Sequence, residues 1–210
     1  AMEMAKQVAQ GAADAVAAHT RHEARPVASV VIPVKNAVSI IDQVLDAVTT
    51  QVAPWPYEII VIDSGSKDGT LKVVAEYPDV RVIHIPPQEF GHGRTRNLGI
   101  AEARGDFVAF LTHDAIPNDP YWLANLVRPM ETRQDIAGVF GRHIAHEGAS
   151  PCVARDLQLH FDGQPVGLIF LRRDVVLIPA FFQYAQSRAW NGHAGLCFQI
   201  GDGVRRYAPC

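Results

Sequence analysis

The sequence predicts an α/β fold: a mostly parallel open sheet with helices on both faces. Three observations carry this expectation. Short β-branched runs alternate with helix-like segments, the links between them are short, and the apolar runs stop at polar clusters. Those clusters are Lys35-Asn36, Asp63-Ser64 and Thr112-His113-Asp114. Unbroken apolar runs are typical of strands buried on both faces. Strand–helix alternation favours a parallel sheet covered by helices. Right-handed crossovers then bring the strand C-terminal ends to one edge, where open α/β sheets bind ligands.

The elements follow in order. "SVVIPV", Ser29 to Val34, reads as the first buried strand. A helix follows, with Ser39 and Asp42 forming a capping-box-like start. Ile40, Ile41, Val44, Leu45 and Val48 share its apolar face. "YEIIVID" is a second strand ending at Asp63, and "SGSKDGT" is a turn. Leu71, Val73, Val74 and Tyr77 suggest a short helix before the third strand, "VRVIHI". "EFGHGRTRNLGIAEARG" is a Gly-rich loop entering a helix. "DFVAFLT" is the fourth strand. "NDPYWLANLVRPM" begins another helix, with Asn118 or Asp119 as cap and Pro120 in its first turn. "DIAGVFG" is the fifth strand.

Composition narrows the function classes. A chain of 210 residues suits one domain with a full core. The net charge of −3 carries no basic excess, so nucleic acid is not the expected partner. Three cysteines, Cys152, Cys197 and Cys210, lack CxxC spacing, which argues against a disulfide framework or structural zinc. No apolar run reaches the roughly 20 residues that cross a bilayer. The Ala-rich start lacks a signal-peptide apolar region and reads as an exposed helix. The expected compartment is the reducing cytoplasm.

Several motifs bear on chemistry. Asp63 ends a buried strand, where a carboxylate can accept hydrogen bonds from a base or ribose, while Ser64, Ser66, Asp68 and Gly69 shape the turn. In "GHGRTRNLG", Gly91 and Gly93 permit close backbone approach, and a helix N-terminus favours phosphate. Arg94 and Arg96 suit charge-assisted bonds to a diphosphate, or are simply solvated. The Rossmann G-x-G-x-x-G is broken by Arg96, and no P-loop is present. Asp114 reads equally as a loop cap or as a ligand to Mg²⁺ or Mn²⁺. His113 reads as an imidazole ligand, a substrate contact or a hydrogen-bonded structural residue. Strand alternation would turn it away from Thr112 and Asp114, although the geometry of the turn blurs that direction. No HExxH and no G-x-S-x-G occurs, so zinc-hydrolase and serine-hydrolase readings lack their signals.

Taken in order, "SVVIPVKN", "EIIVIDSGSKDGT", "HGRTRNLGIAEARGDFVAFLTHDAIP" and "GVFGRHIAHEGAS" resemble the inverting family 2 glycosyltransferases, over about Ser29 to Gly163. The branch most similar is the rhamnosyltransferase-like one, with its "HGGTRN" and "LTQDAxP" patterns. The resemblance implies the GT-A fold, with a Rossmann-like nucleotide-binding half. It implies that Pro33, Asn36 and Asp63 form the nucleotide-binding end, with Asp63 on the base. Arg94, Arg96 and Asn97 then lie near the sugar-diphosphate. Thr112, His113 and Asp114 align with the D-x-D motif, so that Thr112 and His113 touch the donor and Asp114 holds the divalent cation, Mg or Mn.

Three departures stand out. Thr112 replaces the first Asp of D-x-D, and Ser64 replaces the acid that often follows the base-binding Asp. Beyond Gly163 no "ED" pair appears. Asp174 and Asp202 are the remaining acids there, and no catalytic base is assigned. The expected organisation is a helical extension over 1–27, a nucleotide-sugar-binding domain over 28–163, and a divergent or truncated acceptor-side tail over 164–210. The implied function is inverting transfer from a dTDP- or UDP-linked sugar to a hydroxyl of a glycan or lipid-linked glycan, in cell-surface polysaccharide synthesis. Peripheral association with the inner membrane face is compatible with that role. The rival reading is a nucleotide-sugar-binding module without transferase activity. A sugar nucleotidyltransferase is disfavoured, because "VKNAVSII" supplies no Gly-rich basic loop after the first strand.

Overall fold

The computed structural model describes residues 25–141, 143–145, 148–161, 168–172 and 196–199. Its strands are β1 (Ala28–Val34), β2 (Tyr57–Asp63), β3 (Val80–His84), β4 (Phe107–Phe110), β5 (Ile136–Gly141), β6 (Leu168–Arg172) and β7 (Leu196–Gln199). Its helices are α1 (Ile41–Thr49), α2 (Thr70–Val74), α3 (His92–Glu102), α4 (Trp122–Thr132) and α5 (Pro151–Phe161). The strands form a single sheet in the order β3-β2-β1-β4-β7-β5-β6.

β1 lies between β2 and β4 and is parallel to both, and β3 is parallel to β2. β7 then inserts antiparallel between β4 and β5, and β6 pairs antiparallel with β5. β1 to β5 therefore all point the same way, as expected of a mostly parallel sheet. What the order of elements did not foretell is that β4 and β5 are separated by a strand from beyond residue 163. The helical extension expected over 1–27 lies outside the described residues up to 24. Asp174 and Asp202 lie outside them too.

Both sheet faces are covered. Val30 and Ile32 of β1 and Ile59 and Val61 of β2 point to one face. They meet Ile41, Val44, Leu45 and Val48 of α1 and Leu123, Leu126 and Val127 of α4. The other face joins Val31, Ile60, Ile62, Val108 and Phe110 to Ile100 of α3. The two-residue alternation along β1 feeds both cores. Each fully buried aliphatic side chain here contributes about 1.5–3 kcal/mol. α3 approaches the sheet closely at Gly99, where a Cβ would sit 2.5 Å from Val31 Cγ1.

The expected cap of the first helix is not the one used, whereas Asp119, expected at the start of α4, does accept a backbone N–H there. α1 begins at Ile41, with Ile40 at the cap position and no side-chain cap bond, so Ser39 does not cap it. Its entry is held by the neighbouring loop: the Ala37 N–H donates to Thr70 Oγ1 at 2.8 Å and the Val38 N–H to Asp68 Oδ2 at 3.1 Å. Asp42 instead accepts from the Tyr77 hydroxyl at 2.7 Å. α4 begins at Trp122 rather than near Pro120. Asp119 Oδ1 accepts the Tyr121 N–H at 2.7 Å, and Gln51 Oε1 takes the Leu123 N–H at 3.0 Å. Once distant side chains satisfy these N–H groups, the local candidates are free for other roles.

Candidate functional site

From β1 the chain runs outward to β2 and β3, then returns to β4 on the other side of β1. The strand order therefore reverses between β1 and β4, and the crevice beyond their C-terminal ends is the ligand position of such sheets. Around that edge lie the ends of β1, β2 and β4 and the start of α3, which follows the C-terminal end of β3.

Asn36 follows β1 in the left-handed region, with φ of 49°. Its N–H donates to Ser66 Oγ at 2.8 Å, and its Oδ1 accepts the Lys67 N–H at 2.9 Å. Together with Thr70 and Asp68, these bonds lock the β1 and β2 loops together. Asp68 Oδ1 accepts both the N–H and the hydroxyl of Thr70, at 3.0 and 2.5 Å. The Thr70 hydroxyl, with help from the backbone N–H groups of Val38 and Thr70, holds the exposed Asp68 carboxyl below its usual range.

Asp63, at the end of β2, is buried. Its carboxylate accepts the Gly65 N–H at 3.0 Å and the Ser66 N–H at 3.2 Å. Gly65 permits this turn with φ of +86°, a region other residues resist. Ser64 is also buried, and its hydroxyl donates to the Val34 carbonyl at 3.2 Å. His84 is paired in register with Asp63 and brings Nδ1 within 3.8 Å of Asp63 Oδ2. Sequence reading left His84 unassigned. Its position as the last residue of the third strand was the available signal, because parallel register aligns strand ends.

α3 starts at His92, so Arg94, Arg96 and Asn97 occupy its first two turns. Arg94 is exposed, whereas Arg96 and Asn97 are half-buried. Arg96 lies over the Phe110 ring, 6.0 Å from its centroid, and donates to the His92 carbonyl at 3.0 Å. Burial pushes its guanidinium below the ordinary range. It has no carboxylate partner among the described residues. A desolvated cation at a helix N-terminus attracts an anion strongly, since little water screens it.

β4 ends at Phe110, sooner than "DFVAFLT" suggested. Thr112 to Ala115 form a turn closed by the Ala115 N–H on the Thr112 carbonyl at 3.2 Å. Strand alternation therefore does not govern His113. Leu111 still donates to the Val31 carbonyl at 3.0 Å. The next acceptor on that side of β1 is the Pro33 carbonyl, and His113 Nδ1 meets it at 3.4 Å. Asp114 is exposed, and its carboxylate has no partner among the described residues. No group of three or more His, Cys, Asp or Glu that could hold a metal occurs among the described residues. A hard cation commonly takes one or two carboxylates, with phosphates and water completing its shell. An exposed, unpartnered carboxylate beside a crevice fits that use.

The family model described as Glycosyl transferase family 2 matches residues 29–197. The chain belongs to glycosyl transferase family 2. The match runs past Gly163, takes in β6 and ends within β7. Among sequence relatives, the O-antigen chain rhamnosyltransferase RfbN of Salmonella typhimurium is 35% identical over 66% of this chain and 44% of its own length. WbaN of Salmonella anatum, another O-antigen chain rhamnosyltransferase, is 39% identical over 46% of this chain and 30% of its own. The chain spans less than half the length of either. Two solved structures share the GT-A fold. S. aureus TarS 1-349 in complex with UDP-GlcNAc has a TM-score of 0.51 and 25% identity, over 59% of this chain and 36% of that one. Glucosyl-3-phosphoglycerate synthase from Mycobacterium tuberculosis has a TM-score of 0.52 and 22–23% identity, over 83% of this chain and 56–57% of that one. No helix among the described residues is long and apolar enough to cross a membrane.

Proposed function

We propose that this family 2 chain binds a dTDP- or UDP-linked sugar and transfers the sugar, with inversion, to a hydroxyl of a glycan or lipid-linked glycan. The setting is cell-surface polysaccharide synthesis at the cytoplasmic side of the membrane. One observation carries this reading: Asp63, the arginines of α3 and Asp114 gather at the sheet edge around the β1–β4 switch point. The rhamnosyltransferase relatives support it. So does the UDP-GlcNAc held by the TarS neighbour.

In this reading Pro33, Asn36 and Asp63 form the nucleoside end. The loop lock keeps Asn36 and the Asp63 turn in place before ligand arrives, which lowers the ordering cost of binding. Asp63 accepts a base N–H with the carboxylate edge its loop leaves free. Arg94, Arg96 and Asn97 grip the diphosphate, with Arg96 acting in a partly dry setting where charge is less screened. Thr112 and His113 line the donor side of the crevice. Asp114 holds the divalent cation, Mg²⁺ or Mn²⁺; when bound, that ion neutralises charge on the departing diphosphate. The Mycobacterium neighbour was solved with Mn²⁺ and UDP, which supports this assignment. The acceptor hydroxyl attacks the anomeric carbon from the opposite face and gives its proton to a base. Residues 28–163 serve as the donor-binding unit and residues 164–210 as the acceptor side.

Calorimetry of the full chain with UDP, dTDP and Mn²⁺, alongside a transfer assay, tests the reading. Metal-dependent nucleotide binding that disappears in Asp63→Ala is the expected result. A well-folded chain that binds neither nucleotide refutes it.

A further inference from the structure

We infer that His113 is a second protein ligand of the divalent cation, through Nε2, beside Asp114. The inference deepens the donor-binding reading above and rests on it. It starts from the ladder between β1 and β4. The backbone pairing stops after Leu111 donates to Val31, and the Pro33 carbonyl is met by an imidazole instead. A carbonyl oxygen only accepts, so in this contact Nδ1 carries the proton. The neutral ring then holds its free lone pair on Nε2, which has no partner among the described residues. Metal-bound histidines typically have this arrangement, the second ring nitrogen donating to a backbone carbonyl that fixes tautomer and orientation.

The turn supplies the rest. His113 and Asp114 are its two central residues, and Ala115 packs against the core behind them. His113 is half-buried and tied to β1, while Asp114 is exposed. Thr112 stands where a second carboxylate is expected, so the site carries one negative charge fewer than Asp-x-Asp. A neutral imidazole restores a strong donor without restoring that charge. It also changes selectivity, because imidazole suits first-row transition ions while Mg²⁺ prefers oxygen. The site is therefore tuned toward Mn²⁺ over Mg²⁺.

Electron spin-echo spectroscopy of the full chain with Mn²⁺ and UDP reads this directly. The expected spectrum shows ¹⁴N modulation from a bound imidazole, which becomes the ¹⁵N pattern when the protein is made with ¹⁵N-histidine. His113→Gln, checked for folding by circular dichroism, should abolish it. The same variant should bind Mn²⁺, in the presence of UDP, about tenfold more weakly and lose its preference over Mg²⁺. Suppose instead that Mn²⁺ and UDP bind, that Asp114→Ala abolishes the binding, and that no histidine nitrogen couples to the ion. Then the inference fails and the donor-binding reading stands. Absence of any Mn²⁺–UDP binding overturns both. If His113→Gln does not fold, His113→Asn made in the ¹⁵N-histidine protein takes its place: loss of the ¹⁵N pattern supports the inference, and an unchanged pattern overturns it.

Discussion

Asn36 and Lys67 are joined by a single hydrogen bond, from the Lys67 N–H to Asn36 Oδ1 at 2.9 Å, made while Asn36 holds a φ of 49°. The two residues belong to different strand–helix loops. Asparagine is suited to this place because it tolerates the left-handed region and bonds to nearby backbone. Its side chain therefore orders the site through the neighbouring loop.

Asn36→Ala should destabilise the protein by about 2 kcal/mol, combining the left-handed backbone cost with the lost bond. Asn36→Gly should recover the backbone part alone. Urea unfolding of both variants measures the difference, and equal losses would contradict the backbone argument.

Asp68 makes the loop lock sensitive to acid. Its folded carboxyl titrates below the ordinary value of 3.8, so it contributes stability that is full above that value. The contribution disappears as pH falls through the lower folded value. Asp68→Asn should therefore flatten the low-pH limb of a stability profile while leaving its slope near neutrality unchanged.

Asp114→Ala should abolish metal-dependent transfer or donor hydrolysis, and Asp114→Asn should reduce it strongly. Metal titrations followed by activity check this. Unchanged metal-dependent activity in the alanine variant removes Asp114 from the cation site.

Arg96→Ala should weaken UDP binding about tenfold to a hundredfold, the range for loss of a charge-assisted bond. Arg96→Lys should restore only part, since an ammonium lacks the planar fork and stacks poorly over Phe110. Comparing UDP with uridine separates the effect: the nucleoside should bind all three proteins alike.

Gly99→Ala should cost about 1–3 kcal/mol, because the new methyl overpacks the interface between α3 and β1. Val31 and Ile62 are both fully buried and have little room to yield. Thermal unfolding measures the loss, and Val31→Ala in the same chain should relieve part of it.

The positions of the first five strands were the most legible feature. β2 runs from Tyr57 to Asp63, the same span as the apolar run that announced it. An unbroken apolar run is a local signal, and burial on both faces makes it unambiguous. Helix starts were not legible in the same way. Ser39 looks like a cap, yet the bonds at α1 come from Thr70 and Asp68; at α4 Asp119 does accept the Tyr121 N–H, but Gln51 takes that of Leu123. A residue 33 positions away leaves no trace in the local pattern. The direction of His113 was blurred for a related reason: alternation does not carry into a turn, and its partner, the Pro33 carbonyl, is distant in sequence.

By itself the sequence determined the order of the strands up to β5 and of the helices up to α4, the carboxylate that ends β2, and the family motifs that link Asp63, "HGRTRN" and Asp114. All of these follow from patterns within a few residues, where side-chain period and turn chemistry act. The tertiary structure alone decided that β7 separates β4 from β5, that the first two loops are locked together, and that His84 stands beside Asp63. It also turned His113 Nδ1 toward the Pro33 carbonyl, 80 residues earlier in the chain. Such contacts depend on strand register and crossover direction, which bring distant residues within hydrogen-bond reach only once the sheet has formed.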